Sequence, residues 1–77
     1  MNKKRRKRIE DVVGRLDSCY DDILVIAEEE EESRANMPES LENTDKYVES
    51  EECSCTLEEA ADGISDIVES LRELASG

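Results

Sequence analysis

The chain has 77 residues, 22 of them acidic and 10 basic, for a formal net charge of -12, and it contains no His, Trp or Phe. At this length it is at most one small domain, which buries only roughly 60% of its unfolded surface and is marginal unless stapled or oligomeric. With no His and no paired Cys-X-X-Cys ligands, the usual nucleophile-base and metal constellations are missing, so composition points away from an enzyme, a cofactor or a metal centre.

Hydrophobic residues make up 36% and aromatic residues 3% of the chain, close to the composition of disordered segments, but here the apolar residues recur with a period. No apolar run approaches the ~20 residues of a membrane span. The basic start is followed by charge and not by an apolar h-region, so neither a membrane anchor nor a signal peptide is expected. Three cysteines, an odd number, argue against a secreted disulfide framework, and a cytoplasmic location is the expectation.

The chain opens with six consecutive bases, Lys3, Lys4, Arg5, Arg6, Lys7 and Arg8. Only Arg15, Arg34, Lys46 and Arg72 follow, four bases against all 22 acids, so the remainder carries -18. That body repels nucleic acid at long range, which argues against direct nucleic-acid binding, although the basic arm could touch a phosphate or an acidic partner. At its own helix N-terminus the arm is unfavourable, so a frayed first turn is expected. Beside the C-terminal end of a second helix, near Glu69 and Glu73, it would be favourable.

Ile9, Val12, Leu16, Cys19, Ile23 and Ile26 recur at spacings of three and four, widened on one side by Val13, Tyr20 and Ala27, and predict an amphipathic helix over about residues 3–36. Pro38 disfavours helix at Met37, and Glu39, Ser40, Leu41, Glu42, Asn43 and Thr44 supply turn and capping chemistry for a loop over 37–44. A matching stripe, Leu57, Ala60, Ile64, Ile67, Leu71 and Leu74, widened by Ala61, Val68 and Ala75, predicts a second helix over about 45–75, capped by Thr44. Each helix is then ~45–50 Å long at ~1.5 Å per residue.

A short connection makes the helices antiparallel, so the fold class is all-α, one helical-hairpin domain spanning the chain. Folding about the loop sets Ile9 near Leu74, Leu16 near Ile67, Ile23 near Ala60 and Ile26 near Leu57. The core is expected towards the termini. Towards the loop, Glu28 to Glu32 face the Glu49 to Cys55 region, where few apolar groups hold the helices together and a softer half is expected. Stripes of three positions per heptad are wider than a two-helix seam needs, and Leu24 and Val25 add further apolar surface. A homodimeric four-helix bundle is the simplest closure, with Ile23, Leu24, Ile26, Ile64, Ile67 and Leu71 at the interface.

Acidic groups along the first helix, Asp17, Asp21, Glu28, Glu29 and Glu31 foremost, could present carboxylates as a copy of a phosphate backbone, since neighbours at i and i+4 stand ~5–6 Å apart. They could equally serve to solvate an outer face. Cys53-Ser54-Cys55 with Cys19 makes a poor thiolate site, because residues two apart on a helix diverge, and Cys19 reads as a small core residue. Gly14 and Gly63 each cost a helix ~1 kcal/mol relative to Ala, which suggests a close backbone approach such as a dimer contact.

The segment Asn36-Met37-Pro38-Glu39-Ser40-Leu41 sits between an acidic helix and Thr44-Asp45-Lys46-Tyr47, with Leu57-Glu58-Glu59-Ala60 beyond. In this, and in its Met-Asn-Lys start with a basic cluster, the chain resembles small acidic helical-hairpin proteins encoded by phages of Gram-positive bacteria. It departs from their pattern at Val48 and at Cys53-Ser54-Cys55, where ordinary helix formers would be expected. The resemblance implies a phage accessory role, often in countering host defence, within the host cytoplasm.

The expected function is therefore an acidic, non-enzymatic protein that inhibits a host defence factor by contacting a basic surface of a host protein, with nucleic-acid mimicry as one mode of that contact. Two alternatives belong to other classes: an oligomeric scaffold that recognises helices through its apolar stripe, and a sponge for a small anionic ligand in which Arg15, Arg34 or Arg72 closes on the ligand between subunits.

Overall fold

Helix α1 runs Lys3–Ala35 and helix α2 runs Asp45–Ser76, joined by a connection that contains one 3-10 turn, Glu39–Leu41. The computed structural model describes residues 1–42 and 44–77. Asn43, counted among the turn residues above, lies outside the described residues. The helices pack against each other as an antiparallel hairpin, a rod of 60 × 14 × 12 Å.

Both ends of α1 have an identifiable cause. Asn2 is the N-cap, and its side-chain oxygen accepts a hydrogen bond from the Arg5 N–H at 2.8 Å, so the first turn is helical despite its basic charge. At the other end, Asn36 and Met37 donate to the carbonyls of Glu32 and Arg34 at 3.1 Å, and Pro38 stops the helix. Thr44 is the N-cap residue of α2 with extended backbone, but its hydroxyl makes no bond to the helix. It donates instead to the Leu41 carbonyl at 2.7 Å, closing the 3-10 turn.

The seam between the helices differs from the expected one. On α1 the seam is formed by Arg6, Ile9, Val13, Leu16, Tyr20, Ile23, Ala27, Glu30 and Arg34, all buried or half-buried and spaced alternately by three and four, with half-buried Asp17 and Leu24 at its edge. On α2 they are Tyr47, Ser50, Ser54, Leu57, Ala61, Ile64, Val68, Leu71 and Ala75. This is a heptad seam in which the residues expected only to widen the stripe (Val13, Tyr20 and Ala27; Ala61, Val68 and Ala75) face inward. Val12, Cys19 and Ile26, with Ala60, Ile67 and Leu74, face out. Ala61 is 1% exposed and Val68 4%, against 51% for both Ile26 and Ile67. The pairing shifts accordingly. Val13 lies by Ala75, and Tyr20 by Ile64 and Val68, in place of the expected Leu16–Ile67 and Ile23–Ala60 neighbours.

The physical reason lies in groups that reach between the helices. One nitrogen of the Arg34 guanidinium donates to the Ser50 carbonyl at 3.0 Å, the Ser50 hydroxyl at 3.1 Å and the Ser54 hydroxyl at 2.8 Å, and both serines are buried. Rotating α1 so that Val12 and Ile26 faced inward would swing Arg34 away and leave two buried hydroxyls without it, which is costly in a dry seam. The loop-ward half, expected to have little to hold it, is thus held by a polar layer.

Candidate interaction surfaces

A heptad seam has two flanks, and here they differ in chemistry. Asp17 follows Leu16 and Arg72 follows Leu71, and the two meet across the helices at 2.7 Å. That contact assigns the position after each such seam residue to one common flank. Glu10, Leu24 and Glu31 share it on α1, with Glu51, Glu58 and Ser65 on α2. It is mainly polar and carries an open groove of about 670 Å³ whose lining includes Asp17, Tyr20, Ile64, Ser65, Val68 and Arg72.

The opposite flank is apolar. Val12, Cys19 and Ile26 lie along it from α1, and Cys53, Ala60, Ile67 and Leu74 from α2. All seven are exposed. Scattered surface hydrophobes are ordinary, whereas these stand in a row contributed by both helices. Part of the excess apolar width read from the sequence is thus concentrated on one side of the rod, while Leu24 stands on the polar flank and Val25, 51% exposed, on neither.

The residues expected at an oligomer interface divide between these locations. Ile26 and Ile67 stand on the apolar flank, whereas Ile23, Ile64 and Leu71 are half-buried in the hairpin's own seam, and Leu24 is half-buried on the polar flank. Cys19, expected in the core, is exposed on the apolar flank, because its heptad position faces away from α2. Cys53 and Cys55 are also free and exposed. Among the described residues no group of three or more His, Cys, Asp or Glu side chains could hold a metal ion.

The acidic candidates do not share one face. Asp21 and Glu28, seven residues apart, lie on the outer surface of α1 and are exposed. Glu29 is exposed one step towards the apolar flank, and Glu31 is exposed on the polar flank. Asp17 is half-buried and engaged by Arg72, so it is the one candidate already matched by a cation of its own chain. Among the described residues no other ion pair forms within 4.0 Å.

Of the three arginines considered for an anionic ligand, Arg34 is held by Ser50 and Ser54 and Arg72 by Asp17. Arg15 is exposed and lines a depression with Arg5, Arg8 and Val12 beside the apolar flank. Within the basic arm Arg6 enters the end of the seam, while Lys3, Lys4, Arg5, Lys7 and Arg8 are exposed. The arm lies alongside Ala75, and forms no ion pair with Glu69 or Glu73. No helix among the described residues is long and apolar enough to cross a membrane. No family model, curated protein or solved structure matches the chain.

Proposed function

We propose that this chain is a non-enzymatic binding protein that acts by protein-protein contact: two copies close their apolar flanks into a four-helix bundle, and the acidic outer surfaces engage a basic surface of a host protein, as a phage-encoded inhibitor of a defence factor would. The observation that carries it is the segregation of the surface. One flank is apolar and exposed along both helices, while Asp21, Glu28, Glu29 and Glu31 are exposed elsewhere on α1 with no ion pair to a cation among the described residues. The phage setting rests on the resemblance at Asn36 to Leu41 and the basic start.

Such a complex would weaken steeply with salt, because both surfaces are charged and solvated. The test is binding to a host partner recovered on the immobilised protein, measured at about 50 and about 500 mM salt, where the Debye length falls from ~14 to ~4 Å. Asp21→Lys with Glu28→Lys should abolish binding while leaving helicity intact, since both side chains point away from the seam and the apolar flank. Salt-insensitive binding that survives this double change would refute the acidic contact.

The scaffold reading has its own support in the exposed row from Val12 to Leu74. Recognition through that row would keep its affinity as salt rises, since apolar burial is not screened, and would be lost on changing Ile26 and Ile67 to Asp.

A further inference from the structure

The geometry points to an antiparallel arrangement of the two copies, α1 against α1 and α2 against α2, with Arg15 of one copy beside Glu29 of the other. This rests on the pairing proposed above and adds its orientation. Two layers of two helices can be related by a twofold axis in only two ways that keep the helices aligned. An axis along the rod puts α1 over α2 of the second copy, the two rods pointing the same way with their termini side by side. An axis across the rod puts each helix over its own copy, running oppositely.

The residues bordering the apolar flank choose between them. On α1 these are Arg8, Arg15, Asp22 and Glu29, basic towards the termini and acidic towards the loop; on α2 they are Glu49, Thr56, Gly63 and Ser70. The axis along the rod sets Arg15 beside Ser70 and Glu29 beside Thr56, and matches no charge. The axis across the rod sets Arg15 beside Glu29 twice, once at each end, with Val12 against Ser33, Cys19 against Ile26, Ala60 against Ile67 and Cys53 against Leu74. Only this arrangement pairs the basic half of one rod with the acidic half of the other. It brings Gly63 of both copies close to the axis, and inside the hairpin a Cβ on Gly63 would meet nothing within 4 Å, so nothing in the single chain uses the missing side chain. A flank 60 Å long on a rod 14 Å wide offers a footprint of roughly 800 Å², the area each partner contributes to a standard stable interface. One opposing term remains, because Asp22 of both copies flanks the axis.

The experiment is sedimentation equilibrium of wild type, Arg15→Glu, Glu29→Arg and the double variant. Positions 15 and 29 are four turns apart on one helix, so they cannot interact within a chain. Each single reversal turns two attractions into repulsions and should raise the dimer dissociation constant about tenfold, and the double variant should return to within about threefold of wild type. Asp22→Asn should tighten association. Independently, I26C in a C53S, C55S background should oxidise to a covalent dimer through Cys19 of the second copy, since within one chain the two sites stand roughly 10 Å apart, too far for a disulfide. A dimer that ignores both reversals, a double variant as weak as the singles, or no covalent dimer overturns the antiparallel arrangement and leaves the pairing standing. A wild type that stays monomeric at high micromolar concentration overturns both.

Discussion

Replacing Arg34 by Met removes the charged clamp on Ser50 and Ser54 while keeping much of the side chain's apolar length. The guanidinium nitrogen that faces α2 has two hydrogens and serves three acceptors, the Ser50 carbonyl and the hydroxyls of Ser50 and Ser54. Charge-assisted hydrogen bonds contribute ~1.5–3 kcal/mol each, but Arg34 is only part-buried, and the freed hydroxyls can turn back to carbonyls of their own helix. The net loss should be about 2 kcal/mol. That is large against the ~4–12 kcal/mol expected for a chain of this size. Urea titration followed by circular dichroism, at one fixed chain concentration because association contributes to apparent stability, should show the midpoint falling by about 2 M for a slope near 1 kcal/mol/M. The companion variant, R34L with S50A and S54A, should recover to within about 1 kcal/mol of wild type or exceed it, because a fully apolar layer needs no compensation. A loss under about 0.5 kcal/mol for Arg34→Met would refute the role given to the polar layer.

Val68→Asp, at a 4% exposed seam position, should cost several kcal/mol and abolish cooperative unfolding, whereas Ile67→Asp, half exposed one residue earlier, should leave the helical signal and remove the dimer in sedimentation; equal effects on folding would contradict the two-sided assignment. Under native conditions at concentrations that favour association, Cys55 should react with a thiol reagent faster than Cys19 and Cys53, and the three rates should converge on dilution; identical rates throughout would show that nothing covers the apolar flank. Changing Cys19, Cys53 and Cys55 together to Ala, Ser and Ser should preserve both helicity and oligomeric state. Gly14→Ala should stabilise the fold by up to ~1 kcal/mol, read as a rise in melting temperature, because a Cβ there meets nothing within 4 Å.

Much of the hairpin was legible because its determinants are local. Three-and-four spacing from Ile9 to Ile26 and from Leu57 to Leu74 reports helix over each segment, and Pro38 reports the break between them. The helix start at Lys3 was harder to read. Six bases argue against order there, whereas the structure carries the helix to Lys3 with Asn2 capping the Arg5 N–H. The acidic surface was legible as composition but not as a site, since the five candidates distribute over the outer face and both sides of α1.

The amino-acid sequence by itself determined that each helix carries three apolar positions per heptad and that the bases gather at one end of the chain. Only the tertiary structure decided which two of the three positions close the hairpin and which one is left on the surface. A two-helix seam accommodates two positions per heptad, and apolar periodicity ranks all three alike. The buried hydroxyls bear on the choice, Arg34 meeting Ser50 and Ser54 across separations of 16 and 20 residues, whereas the exposed Arg72–Asp17 pair across 55 adds little. The free energy of such contacts depends on one rotation of each helix about its own axis, and a helix-period pattern holds no information about that rotation until the second helix is in place.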